Sequence, residues 1–351
     1  MAVLTWLCVS KDTGATSCNT KMPNIKTKSP LITIGITAYN AADTVERALK
    51  SALAQTWRPI EIVAVDDCST DQTRKILDRF AAKHHEMRVF SNKANAGVAV
   101  SRNRILEEAR GEFVVFFDDD DESLPERIEC QYIRIVNYEH DYSAGAPVIC
   151  HTARRVIYPN GKERIEPTMG QSEDRPAPAG SAVAERILLG SPLKDGYGAC
   201  PTCSQMARLS TYRLIGGFDP SLYRSEDTDF NIRLAEAGGH FVGIKQPLVI
   251  QRMTATSEKS LAEEYRNLLL IMKKHRPIME RAGQYDFCLR WVEAKQAWLE
   301  SRHAAFARIL SSLALMYPVL TGRRLVLAFQ NIGLNHAFSR FHSHGDESHK
   351  Y

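Results

Sequence analysis

From Pro30 onward, short and nearly all-apolar runs alternate with stretches of helical periodicity. LITIGIT (31–37) is followed by a helical pattern near 43–54, IEIVAV (60–65) by one near 71–82, MRVF (87–90) by one near 98–109, and then comes FVVFF (113–117). Strands that are apolar at every position, rather than at every second one, belong to a sheet covered on both faces. The alternation therefore predicts an α/β fold with a central, mostly parallel sheet. Ser69 followed by Gln72 reads as a capping box opening the second helix, with Ile76, Leu77 and Phe80 on one face.

Beyond a helix at about 125–139 the pattern loosens. A hairpin is expected around Pro159-Asn160-Gly161, then a Pro/Ala/Gly/Ser loop over 170–181 with the character of a mobile flap. Residues 200–253 hold a short strand, a helix from about 226 to 238 ending at Gly238-Gly239, and two further apolar runs, FVGI and LVI. From 255 the chain reads as helical, with Trp291, Trp298, Phe306, Leu310 and Leu313 as core contacts and a polar, His-rich end at His336, His342, His344 and His349. This divides the chain into a loose leader (1–29), a main domain (30–253) and a helical extension with a polar tail (254–351).

Composition narrows the function classes. Across 351 residues, 45 Lys and Arg stand against 41 Asp and Glu, a net charge of +4 that lacks the basic excess of a dedicated nucleic-acid binder. Eight cysteines, scattered and unclustered, fit a reducing, cytoplasmic setting better than a disulfide scaffold. Met1–Ser10 is apolar but has no basic n-region or small-residue cleavage site, so no signal peptide is expected. The most apolar stretch, Ala304–Leu320, carries Arg308, Ser311, Ser312 and Pro318 and falls short of the roughly 20 residues that span a bilayer. Arg323-Arg324 beside an apolar helix suggests peripheral contact with an anionic membrane surface, with packing on the main domain as the alternative.

The strongest chemical signal is Asp118-Asp119-Asp120-Asp121-Glu122 directly after an apolar strand. Two unit charges about 4 Å apart repel by roughly 4 kcal/mol at an effective dielectric near 20. A run of this kind calls for a positive partner, and hard divalent cations such as Mg²⁺ and Mn²⁺ prefer carboxylate oxygens. If the extended backbone persists, Asp118 and Asp120 point to one side. A calcium loop fits poorly, because Ser123 stands where such loops need Gly; a solvated acidic cap on the following helix is the other competing reading.

Ligands of open α/β sheets bind beyond the carboxyl ends of the strands, and three polar groups converge there: Thr37-Ala38-Tyr39-Asn40, Asp66-Asp67 and Asp118–Asp121. Tyr39 offers a ring to stack on a base, Asp66 an acceptor for a base N–H, and Arg102, near the start of the third helix, a cation for phosphate. Neither a dinucleotide-binding nor a P-loop glycine pattern follows the first strand. A second acidic group, Ser225-Glu226-Asp227-Thr228-Asp229, offers a general base, with helix capping as the plainer reading. Cys200-Pro201-Thr202-Cys203 has no second pair at zinc or redox spacing.

Three ordered segments, ITIGITAYNAADTVERALKSALAQTWRPIEIVAVDDCSTDQT, NAGVAVSRNRILEEARGEFVVFFDDDDESLPERI and IGGFDPSLYRSEDTDFNIRLAEAGG, resemble the family 2 glycosyltransferases of the GT-A fold. The resemblance covers about 31–253 and implies inverting transfer of a sugar from a nucleotide-diphosphate donor, assisted by Mg²⁺ or Mn²⁺. It implies a donor half (30–122) and an acceptor half (123–253). Thr37, Tyr39, Asn40 and Asp66 would meet the nucleotide, Asp118-Asp119-Asp120 would supply the Asp-x-Asp motif with Asp120 and Asp118 on the metal, Asp227 would be the base, and Glu226 and Arg224 would orient the acceptor. Gln251-Arg252-Met253 lacks the Gln-x-x-Arg-Trp ending of processive members, so single-sugar addition to a glycan or lipid-linked acceptor is expected, with UDP-sugars as favoured donors. A catalytically silent scaffold of the same fold and a sugar-1-phosphate nucleotidyltransferase are the alternatives; the latter wants a Gly-rich, basic loop that is missing after the first strand.

Overall fold

The computed structural model describes residues 29–253 and 261–330. The expected leader, except for its last residue, and the His-rich tail lie outside the described residues. The described chain forms two compact units, 29–184 with 192–253, and 185–191 with 261–330.

The first unit opens with β1 (Ile32–Ala38), α1 (Val45–Leu53), β2 (Ile60–Asp66), α2 (Thr73–Ala81), β3 (Met87–Ser91), α3 (Val98–Glu108) and β4 (Phe113–Asp118). It continues through β5 (Glu122–Ser123), α4 (Arg127–Asp141), the hairpin β6 (Val148–Ile157) and β7 (Glu163–Glu166), the start of α5 (Ser181–Leu189), whose residues from 185 belong to the second unit, β8 (Gln205–Arg208), α6 (Leu209–Ile215), α7 (Glu226–Glu236) and β9 (His240–Arg252). The strands form one nine-stranded sheet in the order β3-β2-β1-β4-β8-β6-β9-β5, with β7 paired to β6. Its first four strands are parallel, as the all-apolar runs predicted, and the remainder is mixed. Ile32, Ile34, Ile36, Ile62, Phe113 and Val115 are fully buried, each worth about 1.5–3 kcal/mol of transfer free energy. Between them, Gly35 lets α3 lie close on β1: a Cβ there would come within 2.6 Å of Ile105 and 3.1 Å of Phe116.

Register places the site. Thr37 lies opposite Asp118 and Ala38 opposite Asp66, so β1, β2 and β4 end level with one another. The acidic run then crosses from β4, in the middle of the sheet, to β5 on its far edge, where Glu122 and Ser123 pair with Ile250 and Val249.

Local details depart from the sequence expectations. FVGI and LVI are one strand, β9, and Pro247 between them sits opposite Ala153 where the register shifts. Proline is tolerated at such irregularities because the ladder bond it cannot donate is already interrupted. The capping box does not form: α2 starts at Thr73, whose N–H donates to the Asp71 carboxylate at 2.9 Å, while Ser69 Oγ accepts the Asn40 N–H at 3.0 Å. The expected flap is pinned. Arg134 donates to the carbonyls of Gly170 and Ser172, the Asp195 carboxylate accepts from the backbone of Gln171 and Ser172, and Ala177 donates to the Tyr138 hydroxyl.

The second unit carries α8 (Leu261–Lys274), α9 (Arg276–Arg281), α10 (Tyr285–Leu299), α11 (His303–Met316) and α12 (Pro318–Gln330). Phe287, Cys288, Val292, Ala297 and Leu313 are buried, with Phe287 packed on Trp291 and Tyr317. Trp298, expected in the core, is 55% exposed and lies against Phe306 at the surface. Arg323 and Arg324 donate to the carbonyls of Gly190 and Leu189, neutralising the negative end of α5. For Arg324 this replaces the expected lipid contact, because its guanidinium is largely buried in this cap, while Arg323 stays exposed. No described helix is long and apolar enough to cross a membrane.

Candidate functional site

The two acids closing β2 differ in what they hold. Asp67 is saturated: Oδ1 accepts from Asn92 at 2.7 Å and Ala96 N at 3.0 Å, and Oδ2 from Gly97 N at 2.8 Å. It fixes the loop that leads into α3. Asp66, equally buried, meets only long contacts of 3.4–3.5 Å from Ser69 N and Ser91 Oγ, which leaves its carboxylate with acceptor capacity.

At the end of β1, Tyr39 is partly exposed, with its N–H on Asp119 Oδ2 at 3.1 Å. Thr37 stands beside it, half-buried. Asn40 adopts a left-handed conformation (φ 47°), and its side-chain oxygen accepts from Thr70 N at 2.8 Å and Thr70 Oγ1 at 3.2 Å. Its side chain thus clasps the β2–α2 loop to β1, a role the sequence reading had given to ligand contact.

The acidic run does not stay extended. Asp118 ends β4 and the chain turns at Asp119-Asp120, whose carbonyl at Asp120 accepts from Arg47 at 2.7 Å. Ligand atoms of Asp118, Asp121 and Cys203 lie within 4.8 Å of one another. Asp121 is buried and neither carboxylate oxygen has a hydrogen-bond partner. Burial, with the charges of Asp118 and Asp120, pushes the Asp121 carboxyl well up, and burial with the Asp120 charge raises Asp119 to about 8. Crowded carboxyl groups with orphaned oxygens suit a hard divalent cation, so this array fits Mg²⁺ or Mn²⁺.

Arg102 is the hinge of the arrangement. Its side chain is buried over Phe116 and Phe218, one guanidinium nitrogen bonds Glu226 and another lies 3.3 Å from Asp118 Oδ1. With both forks on carboxylates, Arg102 is not placed to greet phosphate, as the sequence suggested. It joins the end of β4 to the start of α7.

The acids that open α7 sort themselves by partner. Glu226 holds Arg102, and Asp229, fully buried, holds Arg233, which also donates to the carbonyls of Ile215 and Gly217. Among the described residues Asp227 makes only local bonds, its Oδ1 accepting from Thr228 N and Thr228 Oγ1. Burial raises the Glu226 and Asp227 carboxyls, and the Arg102 charge opposes this. Ser225, in a left-handed conformation (φ 63°), makes no side-chain cap, so the plain capping reading of this motif fails. Arg224 is half-buried beside it.

Two groups escaped sequence reasoning. Tyr223 is exposed, and its ring lies 3.2 Å from where a Cβ on Gly97 (φ +87°) would stand, so the turn before α7 meets the start of α3. Asp121 and Cys203 meet although they stand 82 positions apart, with no local pattern linking them. Cys200 and Cys203 are free thiols pushed up by burial, Cys200 to about 11, which suits neither a redox pair nor a nucleophile.

The model of glycosyl transferase family 2 matches residues 33–187. Over 102 residues the chain is 39% identical to the putative teichuronic acid biosynthesis glycosyltransferase TuaG of Bacillus subtilis, covering 29% of this chain and 40% of the relative. Over 101 residues it is 38% identical to the UDP-Glc:alpha-D-GlcNAc-diphosphoundecaprenol beta-1,3-glucosyltransferase WfaP of Escherichia coli, covering 29% and 39%. The matched segments thus span less than half the length of these relatives. The crystal structure of S. aureus TarS superposes with a TM-score of 0.53 at 19% identity, over 76% of this chain and 43% of that one, a likeness of fold.

Proposed function

We propose, from the match of residues 33–187 to the model of glycosyl transferase family 2, that the protein transfers a single sugar, with inversion, from a UDP-sugar to a hydroxyl of a glycan or lipid-linked acceptor. The observation that carries this reading is the sorting at α7: of the three acids there, Asp227 alone makes no arginine ion pair among the described residues, while Arg102 ties its neighbour Glu226 to Asp118 at the donor end. The name of WfaP supplies the UDP donor and the lipid-diphosphate acceptor class, and that of TuaG a place in surface-polysaccharide assembly. A cytoplasmic enzyme peripheral to the membrane fits an acceptor of that class.

In this reading Tyr39 stacks on the uracil and Asp66 accepts from its N–H, with Thr37 beside them. Asp118, with Asp121 beside it and Asp120 in the turn between them, would hold Mg²⁺ or Mn²⁺, which when bound supplies stabilisation of charge on the departing diphosphate. Asp227 takes the proton of the acceptor hydroxyl as that oxygen attacks the anomeric carbon on the face opposite the diphosphate; its raised affinity for protons makes it a better base. Glu226, held by Arg102, fixes the first turn of α7 so that Asp227 keeps its place, and Arg224 orients the acceptor.

Calorimetry of the purified protein against nucleoside diphosphates and nucleotide sugars, with Mn²⁺ and with chelator, tests the donor half of the proposal. Metal-dependent binding of UDP and a UDP-sugar is expected. Absence of binding to every nucleotide by the folded protein would overturn it in favour of a silent scaffold.

A further inference from the structure

The helices α11 and α12 turn an apolar face to solvent. On α11 the exposed positions include Ala304, Ala307, Ala314 and Leu315, and on α12 Val319 and Val326. Leu315 is 85% and Val319 80% exposed, and with Met316 they flank the Tyr317-Pro318 elbow. A helix face that meets water ordinarily carries charged and polar residues. Over 303–330 the sequence has three arginines and no Asp or Glu. Arg308 lies on the exposed face and makes no ion pair among the described residues, and Arg323 is exposed at the other side of the elbow.

Charge decides between occupants. A second copy seated on this face by two-fold symmetry would add its own Arg308 and Arg323 to the same contact, with no acidic residue on the face to compensate. An anionic lipid surface complements the arginines and takes up the apolar side chains, while the aliphatic stems of arginine extend along the boundary. Helices of 14 and 13 residues are too short to span a bilayer and suited to lying in its plane.

We propose that the α11–α12 elbow, led by Leu315, Met316 and Val319, inserts into the headgroup region of an anionic bilayer with Arg308 at its rim. The use of this contact rests on the reading of a lipid-linked acceptor; the contact itself does not.

Flotation of the full chain with vesicles of phosphatidylcholine, or of phosphatidylcholine and phosphatidylglycerol in equal parts, tests it. Binding to the mixed vesicles is expected to exceed binding to phosphatidylcholine by about ten-fold. The double variant Leu315→Ser/Val319→Ser should lower that binding by about ten-fold or more. Arg308→Glu should abolish most of the preference for phosphatidylglycerol. All three positions are exposed, so the variants keep the wild-type melting temperature. Failure of the wild type to bind mixed vesicles overturns the proposal, as does unchanged binding by the double variant. Sedimentation showing a wild-type dimer that the double variant dissolves, with no vesicle binding, also overturns it and assigns the face to a second copy. Vesicle binding by a protein that binds no nucleotide would sink the glycosyl-transfer reading and leave this inference standing.

Discussion

Arg102 is the residue on which the site's geometry turns, because the buried Glu226 and the half-buried Asp118, from distant segments, share its buried guanidinium. Removing one partner of a buried pair leaves uncompensated charge and costs about 3–5 kcal/mol. Arg102→Met should destabilise the protein by that order in urea unfolding, whereas Arg102→Met/Glu226→Met, which removes charge from both sides, should recover a large part of it. Neither variant should recover transfer activity, since both release the first turn of α7. An equal loss of stability in the single and double variants would show that the ion pair is not what anchors the turn. The sequence named Arg102, Glu226 and Asp118 but not their meeting, because 124 positions separate Arg102 from Glu226 and no local rule spans them.

Among the elements, the parallel half of the sheet was legible because each strand and helix announces itself locally through apolar runs and helical periodicity. The second half was not. Pro247 interrupts the apolar pattern of β9 at a register shift, and the loop after β7 has a flap-like composition although it is tied at Gly170. Gly170 has φ +77°, and a Cβ there would stand 1.9 Å from the Phe241 carbonyl oxygen. Gly170→Ala should therefore cost about 3 kcal/mol or more, a loss visible as a lowered urea midpoint. Wild-type stability in this variant would mean that the loop is held elsewhere.

For the molecule as a whole, the pH dependence of stability sets buried histidines against buried carboxyls. Burial holds His151 down at about 3 and lowers His240, both against an unfolded value near 6.5. A base that stays neutral when folded but takes a proton when unfolded contributes its stability fully above pH 6.5, and that contribution falls as the pH drops below it. The buried carboxyls of Asp119, Asp121 and Glu226, held up in the folded state, act in the opposite sense, so the histidine contribution is read as a difference: in urea unfolding from pH 7.5 to 5, His151→Phe, which keeps the ring packed on Phe241, should gain stability relative to the wild type as the pH falls. An identical slope in the variant would remove His151 from the cause.

Catalysis is the larger claim. The sequence showed three acids at the start of α7 without distinguishing them, because the distinction lies in which arginine each one meets. The measurement that tests it most directly is donor affinity and turnover of Asp227→Asn, determined with the same UDP-sugar and acceptor as for the wild type. The account predicts an unchanged donor Kd and a kcat lower by roughly 10²–10⁴. Donor binding lost together with turnover, or turnover retained, would contradict it.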